Sequence, residues 1–570
     1  MTEHPIPRPA LVTERAAKPL PRWILWLFCA AYVLPGLLGR SPWKNGDLVA
    51  FGYMDALMQG WSPWGSPVLA GMPAQGGVFP YWLGAWSMQW LGPWIGHPLA
   101  ARLPFALLLW GVLAFTWRAT YHLARRSAAQ PLPFAFGGEA SPLAYGRSLA
   151  DASVLALMAC LGLVQLGHET TPELVQLFAV TALIYGHARA VTEVERTHQW
   201  QARLALLAAP VLLAGSGAPL LAPMASLGAW AWLHRRTEPT RALRAFAVAG
   251  GLASLAVGML LHWPSRPMAW PDGLMPLLKQ WVWFCWPVWP LALWTLWQWR
   301  RHILEPHVMV PACSALAAWV TSLLLGGSDR ALMLALPALA ILAAFALPTI
   351  RRGWASAMDW FSVLFLSTCA ISIWVIYLAM QTGWPRQPAQ NVQKLFPGFQ
   401  AEFGPIALGV ALSATAVWVA LIVWRVSRHR EVLWRSLVIG ASGISLCWLL
   451  MTTLWLPLMN HARSFDTLVQ PLTAAMPQAR SLRLLGKDLT LVSALQGQGG
   501  WKTETVDSLS CDGTPAAQGA VEHALVPERR WLARDLELPG ASACWTAVLT
   551  VQRAADRKER WVLLRQATGR

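Results

Sequence analysis

Charged side chains are scarce in this sequence, since Asp, Glu, Lys and Arg make up only 13% of its 570 residues. A soluble domain carries about a quarter, so this scarcity excludes an ordinary water-soluble protein. Acidic residues are the rarer sign, with 28 Asp and Glu against 45 Lys and Arg and a net charge of +17. The basic residues fall in short clusters between apolar runs, which argues against nucleic-acid binding and is typical of membrane proteins.

Cysteines and metal-binding motifs are also sparse. No CxxC or HExxH arrangement occurs, so the sequence predicts no dedicated metal site. Two of the eight cysteines, Cys511 and Cys544, lie near the C-terminus, where an oxidising compartment permits a disulfide between them. The other six fall in apolar runs and are most simply small apolar core residues: Cys29, Cys160, Cys285, Cys313, Cys369 and Cys447.

Long apolar runs are what the sequence has in abundance. It is 55% hydrophobic and contains 37 Trp, a residue that favours membrane interfaces. A spanning helix needs about 17–25 mostly apolar residues, and the runs predict an all-α polytopic membrane bundle of about thirteen spans within residues 1–459. The first run lacks a small-residue cleavage site and is predicted to remain as the first span. The predicted spans lie near residues 22–40, 103–122, 149–167, 173–190, 203–215, 218–234, 243–262, 280–298, 309–327, 331–350, 361–380, 404–424 and 436–458.

Basic clusters predict the orientation of this bundle. They precede the first span and follow the second, sixth, eighth, tenth and twelfth, so that all lie on one face: Arg8, Arg15, Lys18, Arg22, Arg125, Arg126, Arg235, Arg236, Arg300, Arg301, Arg351, Arg352, Arg425, Arg428 and Arg430. The positive-inside rule makes that face cytoplasmic. The N-terminus is therefore predicted inside and the C-terminus, after an odd number of spans, outside. The composition, rich in Ala, Arg and Trp, suggests a bacterial source, and a disulfide in an outer domain suits an inner membrane that faces a periplasm.

Two substantial segments lie on the predicted outer side. Residues 41–102 form a Trp-rich first loop, in which "YWLGAWSMQWLGPW" predicts short helices along the membrane interface. Residues 460–570 contain "KDLTLVSAL", "CWTAVLTVQ" and "RWVLLRQA", which alternate like strands, and "RAADRKE" suits a hairpin connection between the last two. The tail is predicted to form a small periplasmic α/β domain.

Few acids lie near the predicted outer face, and they are the candidates for chemistry. They are Asp47 and Asp55 in the first loop, Glu169 and Glu173 in the turn "HETTPELVQ", Asp272, and Asp329 beside Arg330. Ionisable groups at a membrane are costly and often functional. The alternative is that these acids are solvated loop charges or helix caps. This alternative is favoured for Asp55 and Asp272, and for Glu173 the two interpretations are equally good.

The order of motifs in the first loop resembles one known family. An acid follows the first span (Asp47), a Tyr-Trp pair comes next (Tyr81, Trp82), and "AARLPFAL" with Arg102 opens the second span. This order is similar to the polyprenyl-phosphate-sugar glycosyltransferases of the GT-C fold, which include protein O-mannosyltransferases and the lipid A aminoarabinose transferase. "TTPELVQLFAVTALIYG" resembles the family's fourth span, where Glu173 takes the place of an opening acid.

The resemblance implies an inverting sugar transfer on the periplasmic side. The donor would be a sugar on undecaprenyl phosphate, and the acceptor lipid A, another envelope glycan or a protein. Asp47 would be the general base or the group that positions the acceptor. Outer-side cations would hold the departing phosphate, with Arg330 first and Arg102, Lys44, Arg266 and Lys279 after it. Alternatives are a local pair of Arg330 with Asp329, and interfacial anchoring for Lys44 and Lys279.

One stretch departs from the family. Aminoarabinose transferases commonly carry Lys-Pro-Pro shortly before Tyr-Trp, whereas this chain has "GGVFPYW" (Gly76 to Trp82). The resemblance therefore specifies neither an aminoarabinose donor nor a metal contact at this loop, and a divalent cation is left open. His168 and Glu169 are candidates for the replacement polarity. A flippase for lipid-linked saccharides and a family member without activity are the competing functions.

Overall fold

The computed structural model describes the chain apart from residues 1–9, 44, 75–76, 135–136, 192–198, 219–220, 222–240, 262–268, 272, 351, 428–431, 510–522, 534–543, 554–559 and 567–570. Most described residues are helical. The helices up to residue 260 are α1 (Arg22–Val33), α2 (Gly46–Met58), α3 (Phe79–Ile95), α4 (His97–Ala124), α5 (Pro142–Met158), α6 (Leu161–Leu166), α7 (Pro172–Ala190), α8 (Trp200–Gly215) and α9 (Arg241–Leu260).

The second half continues this helical pattern and adds a sheet at its end. Its helices are α10 (Leu274–Phe284), α11 (Val288–Gln298), α12 (Pro306–Leu324), α13 (Asp329–Met333), α14 (Leu336–Ala346), α15 (Arg352–Thr382), α16 (Arg386–Leu395), α17 (Pro405–Ser427), α18 (Arg435–Thr453), α19 (Leu456–Arg463), α20 (Asp466–Ala475), α21 (Leu489–Gly497) and α22 (Glu528–Leu532). The strands are β1 (Val68–Leu69), β2 (Met72–Pro73), β3 (Ser481–Leu485), β4 (Lys502–Val506), β5 (His523–Pro527), β6 (Trp545–Gln552) and β7 (Arg560–Gln566).

The predicted membrane bundle is confirmed as a fold class. Among the described residues, six helices are long and apolar enough to cross a membrane: α4, residues 243–260 of α9, α12, residues 356–382 of α15, residues 405–425 of α17, and α18. Other predicted spans correspond to shorter helices, and the span predicted at 280–298 is divided into α10 and α11 just before Pro287, which has no N–H to continue a helix. The span predicted at 218–234 lies almost wholly outside the described residues, so the number thirteen stays a prediction.

Segments that carry basic clusters meet at one end of the bundle. The backbone N–H of Leu132 donates to Ala10 O at 2.9 Å, and that of Leu433 donates to Ala16 O at 3.0 Å. The indole of Trp434 donates to Lys18 O at 2.9 Å. Because α1 and α18 both begin at this end and pack together, the residues that follow them lie at the opposite end.

The first loop lies at that opposite end. Its helix α3 exposes Trp86, Trp90 and Trp94, which recur every four residues and therefore share one face. Tyr81 and Met88 are buried on the other side of the helix. An exposed row of Trp on a helix is typical of a membrane interface.

The C-terminal part contains a five-stranded mixed sheet in the order β4-β3-β5-β7-β6. β3 pairs parallel with β4 and β5, while β7 pairs antiparallel with β5 and β6. The strands predicted in "CWTAVLTVQ" and "RWVLLRQA" are therefore confirmed as β6 and β7, and the predicted small α/β unit is present. Its boundary at residue 460 and its periplasmic side stay predictions.

The strand predicted in "KDLTLVSAL" is wrong, because this segment forms α21. Asp488 caps the helix, since its Oδ1 accepts from the backbone N–H groups of Thr490 and Leu491 at 2.9 and 3.1 Å. Leu491 and Leu495 are buried at helical spacing, which the alternating pattern had concealed. α21 packs closely on α2: a Cβ on Gly52 would lie 2.7 Å from the Cβ of Ser493.

Candidate functional site

Asp47 lies in the first turn of α2, where the chain enters the helix through an unusual backbone conformation. Asn45 has φ 78°, a value that non-glycine residues rarely adopt. Gly46 follows it, and a Cβ there would lie 2.7 Å from Arg330 Nη2. Glycine at position 46 thus lets a guanidinium approach the start of the helix beside Asp47.

The carboxylate of Asp47 is buried, with 2% of the residue exposed. Its Oδ1 accepts two hydrogen bonds from Thr170, one from the backbone N–H and one from the hydroxyl, both at 2.9 Å. Its Oδ2 accepts from the backbone N–H of Trp43 at 3.3 Å and lies 3.5 Å from Arg40 Nη2. A carboxylate has about four acceptor positions, so the contacts with these three residues occupy the group.

This environment keeps Asp47 ionised. Burial acts to raise the pKa of Asp47, but the charges of Arg40 and Arg102 and the two donors of Thr170 outweigh it. The pKa of this carboxyl therefore lies below its ordinary value. An acid held in this way is a weak proton acceptor and a strong anchor for cations.

Arg40 connects Asp47 to two further predicted site residues. Its Nη2 donates to the carbonyl oxygen of His168 at 2.6 Å, and its own carbonyl oxygen accepts from Arg102 Nη1. The ring nitrogens of His168 lie 2.6 Å from Val164 O and 2.8 Å from Tyr32 O. Burial lowers the pKa of His168 to about 4, so the ring is neutral and one of its two nitrogens donates to one of these carbonyl oxygens.

Arg330 joins two acids to this group. Its Nη2 lies 2.5 Å from Glu169 Oε2, and its Nη1 lies 3.8 Å from Glu173 Oε2. The Oδ1 of Asp329 accepts the backbone N–H of Arg330 at 2.8 Å, and its charge acts on the guanidinium less strongly than the charges of Glu169 and Glu173. The guanidinium of Arg330 therefore turns toward the site instead of pairing with its neighbour in sequence.

Glu169 differs from Asp47 in its protonation chemistry. Burial raises the pKa of Glu169 above its ordinary value, the negative charge of Asp47 adds to this, and Arg330 offsets it only in part. Its Oε1 accepts from Gln165 Nε2 at 3.2 Å and its Oε2 accepts from Arg330. Since these two bonds are its hydrogen bonds with the described residues, Glu169 retains acceptor positions that Asp47 does not.

Three arginines and three carboxylates thus meet at one end of the bundle, and we call them the charged cluster: Arg40, Arg102, Arg330, Asp47, Glu169 and Glu173. The formal charges of the cluster cancel. Five of its six members are among the residues predicted from sequence.

Two solved structures share this architecture over almost the whole chain. The crystal structure of ArnT from Cupriavidus metallidurans bound to undecaprenyl phosphate matches with a TM-score of 0.63 at 15% identity, covering 96% of this chain and 97% of that one. The structure of ArnT from the same organism in the apo state gives a TM-score of 0.62 at 16% identity, over 96% and 98%. The chain has the ArnT fold. No family model and no curated protein matches the sequence, so the resemblance expected from the first loop is confirmed at the level of the fold.

Other predicted residues lie outside the charged cluster of this ArnT-like chain. Tyr81, on α3, packs on Tyr53 with ring centroids 5.1 Å apart. Tyr53 lies further along α2 than Asp47. Trp82 donates from its indole to Trp64 O at 2.7 Å. Lys279 is exposed on α10. Lys44 and Arg266 lie outside the described residues, as does Asp272.

Two residues that contact Asp47 were not predicted as site residues. Arg40 is the last residue of the predicted first span, and its position on the face opposite the basic clusters was the available signal. Thr170 stands beside Glu169 in the turn "HETTPELVQ", where only the charged residues were considered. The contact between Thr170 and Asp47 joins residues 123 positions apart, and helix packing decides it, whereas Arg40 precedes Asp47 by only seven positions.

The cysteine and metal predictions are only partly open to inspection. Cys544 is disulfide-bonded, whereas Cys511 lies outside the described residues, so the pairing of the two stays a prediction. The six cysteines in apolar runs are free thiols. Within the described part of this ArnT-like chain, no three His, Cys, Asp or Glu side chains are grouped to hold a metal ion.

Proposed function

We propose that this protein is a bacterial inner-membrane glycosyltransferase that moves a sugar from undecaprenyl phosphate to an acceptor on the periplasmic side. The observation that carries the proposal is the charged cluster, which buries five ionisable groups beside the half-buried Arg330 at one end of a bundle with the ArnT fold. Burying so many charges is costly and is retained where it serves chemistry. The similar ArnT structure is bound to undecaprenyl phosphate, which supports a polyprenyl-linked donor here.

The periplasmic side follows from the distribution of charge. Basic clusters gather at the end that holds the N-terminal segment, and the positive-inside rule makes that end cytoplasmic. The charged cluster, which lies at the opposite end, then faces the periplasm. Lipid A, another envelope glycan or a protein are the acceptors that this compartment offers.

The proposed reaction is a single displacement with inversion at the anomeric carbon. An acceptor hydroxyl oxygen forms a bond to that carbon while the bond from the carbon to the phosphate oxygen breaks. Undecaprenyl phosphate leaves with the bonding electron pair, and the hydroxyl proton passes to a base in the protein. The step requires one proton acceptor and cations for the departing phosphate.

Glu169 is the proton acceptor in this proposal. Two nearby acids whose environments move their pKa values in opposite directions divide the work of a site between them. The raised pKa of Glu169 suits it to take a proton, and its unused acceptor positions can meet a hydroxyl group. Asp47, with its lowered pKa and occupied oxygens, holds Thr170 and Arg40 in place and is not the base in this proposal.

Arg330 is the cation for the leaving phosphate. In the resting site its guanidinium pairs with Glu169 at 2.5 Å. When Glu169 accepts the proton, that carboxylate becomes neutral, and Arg330 can exchange it for the phosphate formed in the same step. Arg40 supports this role, because its Nε and Nη1 are buried without a hydrogen-bond partner among the described residues.

Mass spectrometry of lipid A and envelope glycans tests this function. Cells lacking the gene are complemented with the wild-type chain, with Glu169→Gln, or with Asp329→Asn as a matched control beside Arg330. We expect the wild type and Asp329→Asn to add the mass of one sugar to an acceptor. Glu169→Gln should reduce this transfer by about 10²–10⁴-fold at equal protein level, the range for loss of a general base.

Each result has a separate meaning. No mass difference between cells with and without the gene would contradict a transferase, and a flippase would change the exposure of lipid-linked sugar without a new glycosidic bond. Normal transfer by Glu169→Gln would leave the transferase standing and remove Glu169 as its base.

A further inference from the structure

A polar cavity of about 440 Å³ lies where the first loop meets the C-terminal part of the chain. The first loop contributes the end of α2 and the hairpin of β1 and β2, and the C-terminal part contributes the end of α21 and strand β4. The two parts are tied together at this point, because the hydroxyl of Thr505 donates to Ala70 O at 3.2 Å. The lining residues are Ala56, Trp61, Val68, Ala70, Gly71, Gln496, Lys502, Thr503, Glu504 and Thr505.

The side chains in this cavity form a set of donors and acceptors around an aromatic ring. Gln496 is buried, with 3% of the residue exposed, and its Oε1 has no hydrogen-bond partner among the described residues. Lys502 and Glu504 point outward from the same strand and are exposed. Trp61 is half-buried, and its backbone N–H donates to Ala56 O at 2.9 Å.

The polarity of this cavity contrasts with another cavity of similar size. A space of about 400 Å³ among α10, α11, α12 and α14 is lined by apolar and aromatic side chains together with Cys285. Gln496, Lys502, Glu504 and two threonines therefore make the polar cavity the one of these two that suits a ligand rich in hydrogen-bonding groups.

The cavity is joined to the charged cluster by one helix. Asp47 and Ala56 both belong to α2 and are nine residues apart, which corresponds to a rise of about 14 Å. α2 is buried over nearly its whole length, so it holds the two sites at a fixed separation. A ligand in the cavity is thus displaced from the reacting centre by more than one sugar ring.

We propose that this cavity is a saccharide-binding site that holds a sugar of the acceptor remote from the bond being formed. The ring of Trp61 offers a flat face for a sugar ring, and Gln496, Glu504 and Lys502 offer hydrogen bonds to hydroxyl groups. The opposite charges of Lys502 and Glu504 cancel, which selects a neutral or zwitterionic polyol over a strong anion. The acceptor role rests on the proposed function, whereas saccharide binding does not.

Saturation-transfer NMR on the full-length protein in nanodiscs tests the binding directly. The probes are chitotriose and maltotriose, with tetraethylene glycol as a polyol-like compound without sugar rings. We expect at least one trisaccharide to bind and tetraethylene glycol not to bind. Lys502→Ala and Glu504→Ala change exposed side chains and should each raise the Kd about tenfold, the loss of one charge-assisted hydrogen bond.

Lys487→Ala is the matched control, since this exposed lysine lies 3.7 Å from Asp507 and does not line the cavity. It should leave the Kd unchanged. The inference is overturned if neither trisaccharide binds the wild type, or if the two cavity variants bind as tightly as Lys487→Ala. If cells transfer the sugar but the protein binds neither trisaccharide, the saccharide site is wrong and the proposed function stands. If the protein binds a trisaccharide but no transfer occurs, the proposed function is wrong and the saccharide site stands.

Discussion

The two ends of the bundle hold their buried acids in different ways. Near the end that gathers the N-terminal segment, Asp151 accepts from the backbone N–H of Leu20 and from the indole of Trp117, both at 2.8 Å. At the other end, Asp47 lies 3.5 Å from Arg40 within a group of three arginines and three carboxylates. One acid with neutral hydrogen-bond donors is enough to fix a backbone segment. The charged cluster therefore contains more charged residues than such anchoring requires.

The largest difference between these ends should appear in stability. Asp47→Asn leaves Arg40 buried without its counter-charge, which should cost about 3–5 kcal/mol in the free energy of unfolding. Asp151→Asn keeps an acceptor oxygen for only one of its two donors, which bind different carboxylate oxygens, and should cost about 1–3 kcal/mol. Thermal unfolding in detergent measures both changes.

A charge-balanced double variant separates this cause from simple loss of packing. Asp47→Asn combined with Arg40→Gln removes both charges and should recover most of the stability lost in Asp47→Asn alone. Equal losses for Asp47→Asn and Asp151→Asn would erase the distinction between the two ends.

The next effect concerns the pH dependence of transfer. Glu169 must be deprotonated to accept a proton, so the rate should fall as the pH drops through the pKa of Glu169, which burial raises above its ordinary value. Asp47, whose pKa is lowered, stays ionised over that pH range. It therefore adds no second limb, that is, no second decline in rate, to the pH–rate profile. Initial rates in proteoliposomes, with the donor identified by mass spectrometry, should show one acidic limb.

Asp329→Asn should keep this acidic limb, because Asp329 is exposed and accepts a backbone N–H. Glu169→Gln should leave a small residual rate without the limb. If the acidic decline in rate persists in Glu169→Gln but disappears in Asp47→Asn, then Asp47 is the base.

The smallest effect should come from a single methyl group. In Gly46→Ala the new Cβ would lie 2.7 Å from Arg330 Nη2, so the guanidinium must move away from Glu169. We expect a loss of about 10-fold in kcat, less than the 10²-fold that a shift of 1 Å can cost, because the side chain of Arg330 can bend. Gly65→Ala in the same loop has open space at its Cβ and should retain full kcat.

The sequence predicted the helical bundle and most of the charged cluster for different reasons. Apolar runs of spanning length are local signals, and they located helices such as α4, α12 and α18. Arg330 and Glu169 were found because charged residues near a membrane face are few. Thr170 was missed because its contact with Asp47 joins residues 123 positions apart through helix packing. Arg40, only seven positions before Asp47, was missed because it was counted within the predicted first span.

The sequence pattern also failed in two other respects. It did not distinguish a strand from a helix in one C-terminal segment, and it did not show how burial changes the pKa values of two acids. "KDLTLVSAL" alternates like a strand, yet Asp488 at its start and buried residues at helical spacing make it α21. Asp47 and Glu169 are both acids near the same membrane face, and nothing local in the sequence distinguishes their proton affinities. Their opposite pKa shifts arise from neighbours that only the fold supplies.

The packing of α2 against α21 joins an early segment of the chain to a late one. Gly52 meets Ser493, and Phe51 meets Gly497, so the helix that begins beside Asp47 rests on a segment made more than four hundred residues later. During synthesis α2 therefore lacks this support until the residues of α21 have been made. Asp47 and the arginines around it are thus present in the chain before the packing that holds their helix is complete.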